Sequence, residues 1–173
     1  DLMQAAIAGG AAAFKINCVQ CHGAGAAGYQ EFGYPNLNDD DWIWGGTLTE
    51  IEYTLQHGIR WEGAEETRAT YMPAFEGVLD NGQISAVTGH VLSLSGKGNG
   101  NPAGAQAFAE NCAACHGNGG EGMPEMGAPA LNDAIWLYGG TSAAVTKQIL
   151  APRHGVMPAW QGRLNPVTIK MLA

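Results

Sequence analysis

The sequence predicts an all-α protein made of two tandem domains of related structure. Apolar residues recur at the three- and four-residue spacings of helices, and no segment alternates with the period of two that is typical of strands. Many residues are repeated at a constant offset of 94 positions. A short segment rich in Gly and Asn separates the two copies, so each copy is expected to fold as its own domain.

The repeat is clearest around a cysteine motif and a later turn. CVQCH at 18–22 returns as CAACH at 112–116, and PNLNDDDWIWGGT at 35–47 is answered by PALNDAIWLYGGT at 129–141. The shared Gly-Gly, Asn and Asp residues predict the same turn chemistry in both copies. Two homologous domains are therefore favoured over one.

Three helices follow from apolar spacing. Helices are expected over 4–17 and 103–111, where each leads directly into a cysteine motif. A third is expected to begin near Asn81, because Ile84 and Val91 fall on one helical face.

The linker sets the predicted domain boundary. GKGNGNPAG at 96–104 has no periodic apolar pattern. We therefore predict a first domain over 1–97 and a second over 98–173. The realigned repeat predicts that the last helix of the second domain is cut short at Ala173.

Composition excludes some functions and suggests a cofactor. The formal net charge of −8, without a cluster of Lys or Arg, argues against a nucleic-acid or anionic-membrane partner. Glycine makes up 26 of the 173 residues, so two small domains would have thin cores unless a bulky cofactor filled them. No run of 18 apolar residues is present, and any signal peptide or anchor before Asp1 is expected to have been removed or not included.

Each Cys-x-x-Cys-His motif is typical of covalent haem c attachment. The two thiols add to the haem vinyl groups and the adjacent histidine binds iron, a spacing that suits a single helical turn. The predicted attachment residues are Cys18, Cys21, Cys112 and Cys115, and the predicted iron ligands beside them are His22 and His116.

Two other kinds of site also use a Cys-x-x-Cys motif. A zinc site needs a closed set of four ligands, but each cysteine pair has only one adjoining histidine. A redox dithiol normally follows a strand in a βαβ unit, and the sequence predicts no strands. Two covalently bound haem c groups are the favoured prediction.

A second axial ligand is expected for each iron. Met72 and Met157 occur in the matched strings MPAF and MPAW, and a thioether is a soft, neutral ligand that favours ferrous iron. We hypothesise that Met72 serves the haem of the first motif and Met157 that of the second. His57 and His154 are the alternatives; each is interpreted as a helix C-terminal histidine before a glycine cap.

Other residues have candidate roles around the haems. The carbonyls of Pro35 and Pro129 are candidates to accept the ring N–H of the axial histidines, or these are ordinary turn prolines. Arg60 and Arg68 are candidates to pair with haem propionates or a partner surface, or they lie in a solvated loop. The residues expected to pack on the haem edge, or to belong to an ordinary core, are Trp42, Trp44, Trp136 and Tyr138.

These motifs carry a family resemblance. Both halves resemble class I cytochromes c, and together they resemble the periplasmic portion of the dihaem cytochrome c subunit, subunit III, of the cbb(3)-type cytochrome c oxidases. The shared features are the two haem motifs, the LNDxxWxxGGT-like strings, and HGIR…TR…MPAF against HGVMPAW. The resemblance covers most of residues 5–170.

The resemblance implies a function, partners and a location. The fold would be two tandem class I cytochrome c domains that relay electrons to the haem-copper catalytic subunit in aerobic respiration. The chain would carry no oxygen-reducing site and would not itself be an enzyme. Its partners would be that catalytic subunit, a monohaem cytochrome c subunit and a soluble cytochrome c donor. It would lie on the periplasmic side of the bacterial inner membrane, attached through an anchor absent from this chain.

Two rival functions are considered. A free periplasmic shuttle resembling the cytochrome c-four group would use the same two haems without binding an oxidase. A dihaem peroxidase would need one haem with an open or easily vacated position, and the matched Met-Pro-Ala strings argue against that.

Overall fold

The computed structural model describes residues 1–173 as eight α-helices with isolated β-bridges and no strand. Two 3₁₀ turns lie at Gln30–Phe32 and Pro124–Met126. The helices are α1 (Leu2–Asn17), α2 (Val19–His22), α3 (Leu48–His57), α4 (Asn81–Leu94), α5 (Pro102–Asn111), α6 (Ala113–His116), α7 (Ser142–Leu150) and α8 (Pro166–Leu172). The all-α prediction is confirmed.

The three predicted helices correspond to α1, α4 and α5. Helix α5 begins one residue earlier than predicted, because Pro102 is tolerated in the first turn and the Asn101 side chain accepts the N–H of Gly104 at 2.8 Å. None of the helices is both long and apolar enough to span a membrane.

The chain forms two compact units that are interleaved along the sequence. The first unit contains Asp1–Thr70 and Gly155–Ala173, and the second contains Tyr71–His154. These units differ from the predicted domains 1–97 and 98–173. Each unit contains the final helix of the other sequence repeat: α8 lies in the first unit with α1, and α4 lies in the second unit with α5. Close helix contacts at glycine residues explain this exchange.

In the first unit, α8 packs against α1 and α3. Gly10 of α1 brings the helices together, because a Cβ at this position would overlap the carbonyl oxygen of Met171. The segment ahead of α8 is held by a hydrogen bond of 2.9 Å from the Trp160 N–H to the Leu55 carbonyl. Ile169 of α8 is buried in this unit.

In the second unit, α4 packs against α5 and α7. Gly104 of α5 lies against the backbone of Ala86 in α4, and the Phe75 N–H donates to the Ile149 carbonyl at 3.1 Å. The buried core consists of Phe75, Leu79, Ile84, Val87, Val91, Leu92, Ala107, Phe108, Val145 and Ile149. The contact between α4 and α5 is the repeat-equivalent of the contact between α8 and α1.

A capping box starts α3, and its counterpart at α7 is incomplete. The Glu50 carboxylate accepts the N–H and the hydroxyl of Thr47 at 2.9 and 2.7 Å, while the Thr47 hydroxyl oxygen accepts the Glu50 N–H at 3.3 Å. The hydrogen bonds from the Thr47 side chain and backbone lower the pKa of Glu50. At α7, Thr141 accepts only the Ala144 N–H, at 3.2 Å.

Replacing Glu50 by Gln is expected to remove part of the acid dependence of stability. A carboxylate whose pKa is lowered on folding stabilises the fold above its ordinary pKa of 4.5, and this contribution is lost as the pH falls through the lowered value. Denaturant unfolding at several pH values measures the effect. The control Thr141→Ala should cost about 1 kcal/mol at every pH; an equal acid dependence in wild type and Glu50→Gln would contradict the prediction.

Candidate functional site

The first cysteine motif forms a single helical turn. Cys18 ends α1, and its carbonyl accepts the N–H groups of Cys21 at 3.1 Å and His22 at 2.9 Å. Gly23 then ends the turn with a φ of 79°, a conformation that favours glycine. The motif is thus a compact turn that directly follows a long helix.

The second motif repeats this geometry. The Cys112 carbonyl accepts the N–H groups of Cys115 at 3.1 Å and His116 at 3.0 Å, and Gly117 has a φ of 80°. The predicted single turn is therefore confirmed in both copies.

Both motif histidines have a defined tautomer. The Nδ1 of His22 lies 3.3 Å from the Pro35 carbonyl, and the Nδ1 of His116 lies 2.9 Å from the Pro129 carbonyl. Because a carbonyl can only accept, each Nδ1 carries the proton and each Nε2 keeps a lone pair for a metal. The predicted role of the two proline carbonyls as acceptors is confirmed.

The surroundings keep both imidazoles neutral. Burial lowers the pKa of His22 and of His116, and the hydrogen bonds to Pro35 and Pro129 oppose this only in part. His116 is one of the few buried polar side chains, with 8% of its surface exposed. A neutral imidazole with a fixed ring is the form that ligates iron.

The four cysteines form no disulfide, and the raised thiol pKa values argue against a dithiol redox site. Burial, and then the neighbouring Cys115, raises the pKa of Cys112 to about 11; burial and Cys21 likewise raise the pKa of Cys18. A redox-active motif needs the opposite shift in its nucleophile. No group of three or more His, Cys, Asp or Glu side chains is placed to hold a metal ion, so the zinc alternative also fails.

Neither candidate methionine lies in the same unit as the cysteine motif with which the sequence analysis paired it. Met72 belongs to the second unit and packs against the core that Cys112 also contacts. Met157 belongs to the first unit with His22. The unit boundaries favour pairing Met72 with the second motif rather than with the first, because each methionine precedes a helix that packs on the first helix of the other repeat.

Met157 is held by main-chain pairing. Its N–H donates to the Ile59 carbonyl and its carbonyl accepts the Ile59 N–H, both at 2.9 Å. Arg60 fixes the same segment, because its Nη1 donates to the Gly155 carbonyl at 3.1 Å and its Nε to the Thr70 carbonyl at 2.9 Å. Arg60 therefore links the segment at which the chain leaves the first unit to the segment at which it returns.

Met72 is held by a side chain. Its N–H donates to the Nε2 of His154 at 3.1 Å, and the ring of Tyr71 meets the His154 ring edge-on with centroids 5.1 Å apart. His154 is not a helix C-terminal residue as interpreted from the sequence. Helix α7 ends at Leu150, because Pro152 cannot continue it.

His57 matches the sequence interpretation. It is the last residue of α3, and Gly58 follows with a φ of 70°. Its Nδ1 lies 3.2 Å from the carboxylate of Glu66, and its ring lies 4.3 Å from that of Tyr53. His57 is therefore a helix-end histidine with local partners.

Arginines lie over the aromatic residues of the first unit. The guanidinium groups of Arg60 and Arg68 lie 5.5 and 5.4 Å from the centroid of the Trp44 ring, and that of Arg68 also lies 4.9 Å from the ring of Tyr53. The Nε of Arg68 is buried without a hydrogen-bond partner, and burial lowers the pKa of this guanidinium. This donor fits an anionic group such as a haem propionate.

The second unit has cations at the equivalent aromatic positions. Arg153 lies 4.4 Å from the ring centroid of Tyr138, and Lys97 lies 5.1 Å from that of Trp136. Sequence reasoning missed both cations, because neither falls in a string shared by the two repeats. Each cation is far from its aromatic partner along the chain, so no local sequence pattern predicts the contact.

Taken together, the donor sets fit two haem c groups. Each unit combines two thiols on one helical turn, a neutral histidine with a free Nε2, a thioether and at least one arginine beside an aromatic ring. These are the groups that thioether attachment, two axial bonds and propionate binding require.

Comparison with known proteins identifies close relatives. Residues 5–91 and 99–173 match the family model described as Cytochrome C oxidase, cbb3-type, subunit III. The chain is 52% identical to Cbb3-type cytochrome c oxidase subunit FixPc of Rhizobium leguminosarum bv. viciae, over 99% of this chain and 60% of that protein. It is 51% identical to subunit CcoP of Cereibacter sphaeroides, over 100% and 61% of the two chains. The chain thus spans about 60% of the length of these relatives.

Proposed function

Because the chain belongs to the subunit III family of cbb3-type cytochrome c oxidases, we propose that it relays single electrons to the haem-copper catalytic subunit of such an oxidase. The observation that carries the proposal is the presence of a full set of haem c donors in each compact unit. Family membership favours this function over a free shuttle resembling the cytochrome c-four group.

Each unit provides attachment residues and two axial ligands. The proposed ligand sets are Cys18, Cys21, His22 and Met157 in the first unit, and Cys112, Cys115, His116 and Met72 in the second. The buried Nε of Arg68 is proposed to bind a propionate of the first haem, and Arg153 to serve the second.

Bound haem c supplies an iron centre that changes by one electron between Fe(III) and Fe(II). The chain keeps the ligands of that centre fixed during the change. The Pro35 and Pro129 carbonyls hold the rings of His22 and His116 in one tautomer and orientation. A soft methionine thioether that holds the iron together with the histidine would favour the reduced state and raise the reduction potential.

The same donor sets support an electron carrier over an enzyme. A peroxidase or an oxygen-reducing haem needs a position that a substrate can occupy, whereas both proposed irons have a histidine and a methionine. We infer that oxygen reduction takes place in the catalytic subunit. A monohaem cytochrome c subunit and a soluble cytochrome c are the proposed electron donors, on the periplasmic side of the bacterial inner membrane.

Replacing either axial methionine by alanine should remove half of the long-wavelength absorption of the oxidised protein. This absorption arises from charge transfer between sulfur and ferric iron, so each haem contributes its own share. Met72→Ala and Met157→Ala are measured beside the control Met126→Ala, whose side chain lies at the end of a 3₁₀ turn. A full band in Met72→Ala or Met157→Ala would refute that residue as a ligand.

The relay is tested in the oxidase complex with the full-length subunit. Oxygen consumption driven by a reduced soluble cytochrome c should slow in Met72→Ala and Met157→Ala complexes. A small artificial reductant that reaches the catalytic subunit directly should support the wild-type rate in the same complexes. Unchanged turnover with the soluble cytochrome would overturn the proposed relay.

A further inference from the structure

We propose that His154 is a positioning residue that holds Met72 in place for ligation in the second unit. The inference rests on the proposed function, because it takes Met72 as the axial ligand. His154 does not bind iron in this proposal. It acts through the main chain of the residue that does.

The contact itself defines the role of the imidazole. The amide of Met72 is a donor, so the Nε2 of His154 must be an unprotonated acceptor, 3.1 Å away. The side chain of Tyr71, the residue before Met72, meets the same ring edge-on. The imidazole therefore contacts two consecutive residues of the ligand segment.

This contact also excludes His154 as the axial ligand itself. An imidazole ligates through a nitrogen lone pair, and the lone pair of Nε2 accepts the Met72 N–H. Binding iron through that atom would leave the Met72 amide without this partner inside the unit. The structure thus gives His154 the task of fixing the methionine rather than replacing it.

The first unit uses different residues for the same task. Met157 is paired with Ile59 through two main-chain hydrogen bonds, whereas no β-bridge forms at Met72. The two units share another main-chain contact, because the Trp160 N–H donates to the Leu55 carbonyl as the Phe75 N–H donates to the Ile149 carbonyl. A side chain also contacts the methionine segment of the first unit, because the Nη1 of Arg60 donates to the carbonyl of Gly155 near Met157.

The two ligand segments should therefore depend on different side chains. Loss of the His154 imidazole removes a principal hydrogen bond to the Met72 amide. Loss of a side chain in the first unit leaves the main-chain pair at Met157 intact. The methionine bond of the second haem should then open more readily to an external ligand.

Imidazole titration of the oxidised holoprotein tests the inference. Imidazole displaces the methionine from ferric haem, and the loss of long-wavelength absorption reports the displacement. In His154→Ala, one of the two haems should bind imidazole about fivefold more tightly, the effect of one ordinary hydrogen bond. His154→Gln should restore wild-type binding, because its side-chain oxygen can accept the same N–H.

His57→Ala is the matched control. His57 also precedes a glycine, but it contacts Glu66 and Tyr53, and neither of these residues lies in a methionine segment. This variant should titrate as the wild type. An unchanged titration of His154→Ala, or an equal effect in His57→Ala, would overturn the inference.

The parallel Met72→Ala spectrum separates the two proposals. If Met72→Ala keeps the full long-wavelength band, Met72 is not a ligand, and the proposed ligand set fails together with the inference. If Met72→Ala loses half of the band while His154→Ala titrates as the wild type, only the positioning role of His154 fails.

Discussion

Replacing Gly104 by alanine should destabilise the second unit by about 3 kcal/mol or more, the upper end of the range for an overpacked contact. A Cβ at this position would overlap the carbonyl oxygen of Ala86 and lie 2.8 Å from its carbonyl carbon. Backbone atoms cannot rotate away as a side chain can, so α4 and α5 would have to separate. The repeat-equivalent Gly10→Ala should destabilise the first unit similarly, because its Cβ would overlap the Met171 carbonyl oxygen.

Gly89→Ala is the control for helix propensity. Gly89 also lies within a helix, α4, but the nearest atom to an added Cβ is the Asn99 carbonyl oxygen at 3.9 Å. Alanine there should stabilise the protein by about 0.5–1 kcal/mol, because it loses less conformational freedom on folding. Denaturant unfolding of the three variants measures the differences. Equal stabilities for Gly104→Ala and Gly89→Ala would show that the helices do not approach as described.

The local part of the site could be predicted from the sequence. The single turn of each motif and the contact between His22 and Pro35 depend on chain segments only 13 residues apart, and the repeat shows the same spacing between His116 and Pro129. Segments this close along the chain can adopt few alternative arrangements relative to each other. The helices were predictable for the same reason, since apolar spacing is a local property.

The exchange of segments between repeats could not be predicted in this way. Met72 and Met157 lie in nearly identical strings, so nothing in their local sequences distinguishes their partners. Proximity along the chain favours pairing each methionine with the cysteine motif of its own repeat, whereas the two compact units favour the exchanged pairing that we propose. The choice is made by long-range packing, since α4 fits against Gly104 and α8 fits against Gly10.

His57 and His154 show how a shared string can mislead. Both precede glycine, but only His57 ends a helix, because Pro152 stops α7 before His154. His154 instead accepts the Met72 N–H through its side chain. The two histidines therefore lie in similar sequence strings but make different contacts in the folded units.

With the proposed ligand sets, neither sequence repeat contains a complete haem site. The first repeat supplies two cysteines and a histidine to one unit but its methionine to the other. Each proposed haem site would then form only when segments from both repeats have folded. A substitution in one sequence repeat should therefore change the stability and haem ligation of the unit that contains the cysteine motif of the other repeat.

Paired ligand variants should reveal this exchange directly. If Met72 and His116 bind the same iron, Met72→Ala/His116→Ala loses only the long-wavelength absorption of that haem and keeps the other half. Met72→Ala/His22→Ala should lose all of it, because each haem then lacks one axial ligand. The covalent thioether bonds keep both haems attached in these variants, and a pyridine haemochrome assay counts them.

The reciprocal pair gives a matched control with the same number of substitutions. Met157→Ala/His22→Ala should keep half of the band, and Met157→Ala/His116→Ala should lose it entirely. The opposite pattern in the four double variants would establish contiguous ligand sets within each repeat. Because each comparison holds the methionine change constant and varies only the histidine, a general loss of stability cannot produce the predicted alternation between half and none.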